Sequence, residues 1–263
     1  MKSLQMAIMG AVLLAAASPG GAAGDDGKGV SQVAITWYGQ SCFLVTTAEG
    51  VRILIDPVNM GDYKVDPAVE PDVVTVSHNH FDHNAVDTVS GSPQVIYGKE
   101  REGDDPQQKV LPVDTTVKGV HIYDVSSHHF DTPDRPTLNA IFVYEFDGLR
   151  LVHLGDLGER LSDEQLEKIG PVDILMIPVG GKYTIFGDKA RAVVAQLRPK
   201  RLVIPMHFRT RVADFLPESA DDFTAGRDDV VRVAGNTFTL DLGDLPDRPR
   251  YVVFDTFKEG GAQ

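Results

Sequence analysis

Short apolar runs recur along the chain, separated by polar turns marked with glycine or proline. Runs rich in β-branched and aromatic residues at Val33–Trp37, Cys42–Thr46, Arg52–Ile55, Val73–Ser77 and Gln94–Tyr97 predict strands. The same signature returns at Val120–Val125, Ala140–Phe146, Leu149–Leu154, Val172–Ile177 and Arg201–Ile204. It closes the chain at Val230–Val233, Phe238–Leu242 and Tyr251–Phe254. Helical signals are clear in three places. A helix is expected over His83–Val89. Ser162 with Gln165 forms a capping-box pattern ahead of Leu166 and Ile169. Lys189–Leu197 puts Ala190, Val193, Val194 and Leu197 on one face. Many strands with few helices suit two sheets sandwiched between helices.

Composition narrows this to one folded unit. A chain of 263 residues, 42% hydrophobic and 24% charged, can bury a sizeable core. The start is different in character. Lys2 followed by the apolar run Ala7–Ala17 predicts a signal peptide over residues 1–17, cut near Ser18 or after Ala22-Ala23. That implies a periplasmic or secreted protein, with an uncleaved anchor as the alternative. Residues 18–29 then read as a flexible Gly/Ala/Asp linker, and residues 30–263 as the folded domain. The single cysteine, Cys42, excludes an intrachain disulfide and reads as a buried thiol. A net charge of −13 repels nucleic acid and anionic membrane surfaces, leaving a small-molecule partner. Oligomeric state stays open.

The chemistry is concentrated in Ser77-His-Asn-His-Phe-Asp-His-Asn84. His78, His80, Asp82 and His83 fall within six residues of a chain that has only eight histidines. Imidazole and carboxylate without thiolate suit zinc, manganese or iron. If His78 leaves a strand for a loop, His78 and His80 converge on one metal, and Asp82 and His83 face a second. Further candidates come in order, each after an apolar run: Ser127-His128-His129, His153-Leu154-Gly155-Asp156 and Pro205-Met206-His207. Ligands gathered from several strand ends onto one rim make a preorganised site.

His-x-His-x-Asp-His, a lone His, Gly-Asp and a final His together resemble the metallo-β-lactamase superfamily. Within it the chain is similar to the branch holding ascorbate-6-phosphate lactonases and other metal-dependent hydrolases. Supporting segments are Gly39-Gln40-Ser41-Cys42-Phe43-Leu44, Ile55-Asp56-Pro57, Asn139, Val179-Gly180-Gly181-Lys182-Tyr183-Thr184 and Pro205-Met206-His207. The resemblance implies an α/β fold, a four-layer αββα sandwich, over residues 30–263. It implies two divalent ions, zinc or manganese. His78, His80 and a middle histidine would hold the first; Asp82, His83 and His207 the second; Asp156 would bridge. His128 and His129 compete for the middle place, and the aromatic that commonly precedes this ligand favours His129.

The implied reaction is hydrolysis of a small ester, lactone or phosphodiester by a metal-bound hydroxide, with Asp82 and Asp156 positioning it and relaying its proton. No Gly-x-Ser-x-Gly elbow offers another nucleophile. Two other classes stay open: a mononuclear iron oxidoreductase of the sulfur dioxygenase kind, and a non-catalytic metal-binding protein. His153 reads as a supporting or buried hydrogen-bonding residue, His121 as structural, and Asp56-Pro57 as structural, orienting a ligand loop. Tyr183, with Thr184, either lines the pocket or belongs to an ordinary turn. Arg209 and Arg211 either grip a phosphate or carboxylate or form surface ion pairs.

Overall fold

The structure is a computed structural model and describes residues 31–100, 111–132 and 135–258. The signal-peptide and linker expectations lie outside the described residues. The first half of the chain supplies β1 (Gln32–Gly39), β2 (Cys42–Thr46), β3 (Arg52–Ile55), a small hairpin of β4 (Asn59–Met60) and β5 (Tyr63–Lys64), β6 (Val73–Val76) and β7 (Gln94–Tyr97). Next come β8 (Asp114–Val117), β9 (Val120–Thr132), β10 (Arg135–Phe146), β11 (Leu149–His153), α1 (Asp163–Ile169), β12 (Ile174–Pro178), α2 (Gly187–Leu197) and β13 (Leu202–Met206). The chain ends with α3 (Ala220–Thr224), β14 (Val230–Val233), β15 (Thr237–Asp241) and β16 (Arg250–Phe254).

Two mixed sheets result, six-stranded in the order β15-β1-β2-β3-β6-β7 and eight-stranded in the order β14-β16-β13-β12-β11-β10-β9-β8. One apolar core joins them, giving the sandwich. Phe43 on β2 meets Phe254 on β16 with ring centroids 6.3 Å apart. Thr75 on β6 shares a 2.6 Å hydrogen bond with the buried hydroxyl of Tyr144 on β10. The parallel strands β6, β12 and β13 are buried along their whole length, which is why they read as unbroken apolar runs.

Two sequence expectations are revised. The helix expected over His83–Val89 is only a 3₁₀ turn over Val86–Thr88, and Val89 is extended. Val86, Thr88 and Val89 are β-branched, and Asn84 and Asp87 prefer turns, so nothing there sustains a helix. The strand expected to end at Val125 runs on to Thr132, because Ser126–His128 stay paired with Leu138–Ala140 of β10. The capping box at Ser162 is present, and α1 ends at Gly170. Finally, α3, the β4–β5 hairpin and β8 had no apolar pattern long enough to predict them.

Candidate metal centre

The loop that leaves β6 carries His78, His80, Asp82 and His83. His129 lies inside β9, Asp156 follows β11, and His207 follows β13. Except for His129, these are the C-terminal ends of strands, three of them in parallel pairing, where an open sheet leaves a crevice. His129 therefore departs from the expectation that every candidate follows its strand. Successive side chains along β9 point to opposite faces, which separates it from His128. His129 is buried, whereas the His128 ring is turned outward and meets Glu159 at 3.1 Å.

Three overlapping groups of donor atoms form among the described residues. His78, His80, His129 and Asp156 each offer one atom within 4.8 Å of the others, and so do Asp82, His83 and His207, and Asp56, His78 and His83; because Asp56 is already engaged with Ser77 and His83, the first two are the candidate metal groups. Asp156 reaches both groups: Oδ2 accepts from His129 Nε2 at 3.1 Å and lies 3.3 Å from His207 Nε2, while Oδ1 lies 3.2 Å from His83 Nε2. His78 Nε2 and His80 Nδ1 face each other at 3.1 Å. Five imidazoles and two carboxylates without sulfur suit divalent zinc, manganese or iron. His83 Nε2 and Asp156 Oδ1 are buried with no hydrogen-bond partner, an arrangement that costs free energy unless a cation satisfies both. The residues therefore fit a metal centre.

A second layer fixes these groups. Asp56 accepts from Ser77 N at 2.7 Å, Ser77 Oγ at 2.6 Å and His83 Nδ1 at 2.9 Å, leaving His83 Nε2 aimed inward. Asp56 thus orients the ligand loop, as its place in the sequence suggests. Asn139 accepts from Asp156 N at 3.0 Å and donates to Leu154 O and Ser127 Oγ. A Cβ on Gly155 would sit 2.2 Å from Asn139 Oδ1, so only glycine fits between them. Gln40 was not singled out as a site residue. Its Nε2 donates to Asp82 Oδ2 at 2.9 Å, and its carbonyl accepts from His207 N. Gln40, Asp56 and His207 all have positive φ, strain that dense packing holds in place. His153 belongs to neither donor group; it donates from Nε2 to Ser41 O at 2.9 Å and accepts from Gly155 N, as a buried supporting residue. His121 sits at the surface between Asp114 and Glu145.

Burial and the close carboxylates set the charges. Burial holds the His78, His80 and His207 imidazoles below their ordinary range. For His83 burial acts the same way, but the Asp156 and Asp82 carboxylates outweigh it and raise its pKa well above the ordinary value. Burial opposes ionisation of Asp156 and Asp82, yet His207 and His83 keep Asp156 far below the ordinary carboxyl range, and His83 does the same more modestly for Asp82. The centre is built to carry negative carboxylates and mostly neutral imidazoles, the states in which both bind metal.

A cleft of about 410 Å³ opens over the centre, lined by His80, Phe81, Asp82, His129, Asp156, Tyr183, His207 and Phe215. Tyr183 is thus a lining residue. Arg209 is not: it reaches the Pro217 carbonyl and lies 3.8 Å from Asp222, bordering a separate depression. Arg211 pairs with Asp62.

A two-sheet α/β sandwich with a histidine–carboxylate metal centre on its rim is the class that fold and site define. A profile described as a beta-lactamase superfamily domain matches residues 34–207. The chain belongs to the metallo-β-lactamase superfamily, among the UPF0173 proteins. A UPF0173 protein of Pyrococcus abyssi is 33% identical over 187 residues, 67% of this chain and 83% of that protein. A UPF0173 metal-dependent hydrolase of Pyrobaculum arsenaticum is 28% identical over 80% of this chain and 98% of its own. The crystal structure of a candidate Zn-dependent hydrolase of the superfamily from Thermotoga maritima superposes with a TM-score of 0.66 at 36% identity, over 84% of this chain and 98% of that one.

Proposed function

We propose that this chain is a dinuclear metal-dependent hydrolase of a small ester, lactone or phosphodiester. The observation that carries the reading is Asp156. It is a buried carboxylate reaching both donor groups: Oδ1 lies 3.2 Å from His83 Nε2 without a well-formed hydrogen bond, and Oδ2 lies 3.3 Å from His207 Nε2. On this reading His78, His80 and His129 hold one divalent ion, and Asp82, His83 and His207 the other, with Asp156 between them. When bound, such ions act as Lewis acids and make water a nucleophile near neutral pH. The chain's own part is positioning and proton handling. Asp82 borders the cleft, is held by Gln40, and is ionised, so its carboxylate is the group placed to take a proton from the attacking water. Asp56, Asn139 and Gln40 keep the ligands aimed without touching substrate.

Zinc or manganese is the metal we expect, and the Thermotoga relative's description as Zn-dependent supports zinc. A lactone is the substrate type suggested by the sequence resemblance to ascorbate-6-phosphate lactonases. The presence of both donor groups favours hydrolysis over the mononuclear iron alternative. We also infer export from the Lys2 and Ala7–Ala17 pattern; N-terminal sequencing that finds Met1 retained in the cytosol would remove that inference. The test of function is metal loading followed by a panel of lactones, esters and phosphodiesters. Turnover that is lost on chelation and restored by zinc or manganese is expected. Metal bound without turnover of any panel member would leave a non-catalytic metal protein, and activity needing iron and oxygen would favour the oxidoreductase.

A further inference from the structure

The cleft over the metal centre has an aromatic rim. Phe81 is 73% exposed, although it lies in sequence between the half-buried His80 and the buried Asp82. Tyr183 and Phe215, 42% and 41% exposed, meet edge to face with centroids 6.3 Å apart. Large exposed aromatics that cluster around one opening mark a binding surface, because each leaves apolar area in water at a cost in free energy. The rim is also held in place. Gly180 N donates to His207 O at 3.0 Å, and a Cβ on Gly180 would meet that oxygen at 2.3 Å. Glu218 N donates to Gly180 O, tying the loop that carries Phe215 to the loop that carries Tyr183. Both loops are therefore fastened to the backbone of a ligand.

The charges around the opening point the same way. Among the described residues, no lysine or arginine lines the cleft. Arg209 is turned to Pro217 and Asp222, and Arg211 to Asp62. The ammonium of Lys182 lies over the Tyr183 ring at 4.8 Å and the Phe215 ring at 5.6 Å and is not among the residues that line the cleft. A phosphorylated or polyhydroxylated substrate would want several charged or hydrogen-bonding side chains at the rim, above the candidate ligands, where the cleft offers two phenyl rings and one phenol.

We propose that the rim of Phe81, Tyr183 and Phe215 selects a neutral ester or lactone that carries an apolar alkyl or aryl substituent, seated between the rings while the scissile carbonyl faces the centre. This rests on the hydrolase reading above and names its substrate class. The reaction is ordinary hydrolysis: water adds to the carbonyl carbon, the carbon–oxygen bond to the leaving alkoxide breaks, and the water's protons end on the alkoxide and in solvent. An acid and an alcohol result, joined as a hydroxy acid when the substrate is a lactone.

The experiment has two arms. In the first, calorimetry follows binding of acetamide, butanamide, hexanamide and octanamide to the metal-free chain, so that no turnover is needed. Affinity should rise about twofold per methylene, below the roughly fourfold of complete burial because the cleft is open. Phe81→Ala and Phe215→Ala should each flatten that dependence. Phe81 is so exposed that its removal leaves the fold intact, which a melting curve checks. In the second arm, metal-loaded protein is given γ-lactones and p-nitrophenyl esters of increasing chain length, beside bis(p-nitrophenyl) phosphate and a phosphorylated sugar lactone. kcat/KM should climb with chain length, mainly through KM, and the same variants should reduce the climb. Binding independent of chain length overturns the proposal even if short esters are hydrolysed. Chain-length-dependent binding without turnover of any ester, lactone or phosphodiester keeps the apolar rim and overturns the hydrolase reading. Preference for the phosphorylated lactone, unaltered by the variants, overturns the rim proposal and leaves hydrolysis standing.

Discussion

The floor and the rim of the cleft are built on opposite rules, although one loop contributes to both. On the floor, His78 is fully buried and Asp156 is 2% exposed, and His78, Asp82, His83 and Asp156 are held by contacts to Ser77, Gln40, Asp56 and Asn139 respectively. At the rim, Phe81 stands mostly in solvent one residue from His80 and one from Asp82. The floor spends polar contacts and backbone strain on fixing charge. The rim offers exposed ring surface with few polar constraints. Changes on the floor should therefore alter chemistry and metal retention, while changes at the rim should alter which substrate is preferred.

The largest effect is expected at Asp156, the residue common to both donor groups. Asp156→Ala should loosen metal at both and cut turnover by at least about a hundredfold, the scale of losing one transition-state electrostatic contact. Circular dichroism should show the fold retained, since the side chain belongs to the rim of the sheets and not to the apolar core. A folded Asp156→Ala protein with most of its activity would place the chemistry elsewhere.

Asp56 comes next. Asp56→Ala removes the acceptor that orients His83, so metal affinity should fall about 10–100-fold, with Asp56→Asn recovering part of the loss. Equal losses in both variants would mean that the carboxylate charge, not its hydrogen bonds, is what matters. The paired histidines separate inward from outward positions on one strand. His129→Ala should weaken metal binding at least about tenfold, whereas His128→Ala, which breaks only the contact to Glu159, should do much less. Titration with a chromophoric chelator reads both, and the reverse ranking would transfer the role to His128.

A smaller effect concerns pH. In metal-free protein, His78, His80, His153 and His207 have lowered pKa values, chiefly from burial. Their unfolded forms take up protons near the ordinary histidine value while the folded forms resist. Stability is therefore lost as pH falls below that value. His83 opposes this: its raised pKa contributes stability that is full below the ordinary value and disappears as pH rises through the folded one. His121, raised by Glu145 and Asp114, and Asp124, raised to about 6 by burial, act in the same sense as His83. The four buried imidazoles against these three predict a lower melting temperature at pH 5.5 than at pH 7.5, by roughly 2–4 °C for each kcal/mol lost. A melting temperature that rises on acidification would mean that the raised groups dominate. Smallest of all, Phe81→Ala should leave the melting temperature almost unchanged, within the roughly 0.5 kcal/mol typical of exposed positions.

How much of this was legible in the sequence follows from where the information lies. His78, His80, Asp82 and His83 could be read because a dense run of ligand-type residues is local, and Asp156 and His207 because each follows an unbroken apolar strand. The choice between His128 and His129 depended on strand phase, and β9 continues through a polar stretch where the apolar pattern has stopped. Gln40 reaches Asp82 across 42 positions, a pairing that no local pattern encodes. The helix expected over His83–Val89 does not form because Val86, Thr88 and Val89 are β-branched and Asn84 and Asp87 favour turns. Arg209 lies two residues from a ligand, yet the chain turns after His207 and carries it to Asp222. The rim is formed by three separate loops, so its aromatic character emerges only in the fold.

The most direct test of the central claim is a count of metal in the loaded protein and in two variants. Elemental analysis of the wild type should give about two zinc or manganese ions per chain if the seven residues divide between two ions as proposed. His83→Ala and His207→Ala should each bring this to about one, with His78, His80 and His129 still holding theirs. A wild-type stoichiometry near one, unchanged in both variants, would contradict the dinuclear floor on which the account rests.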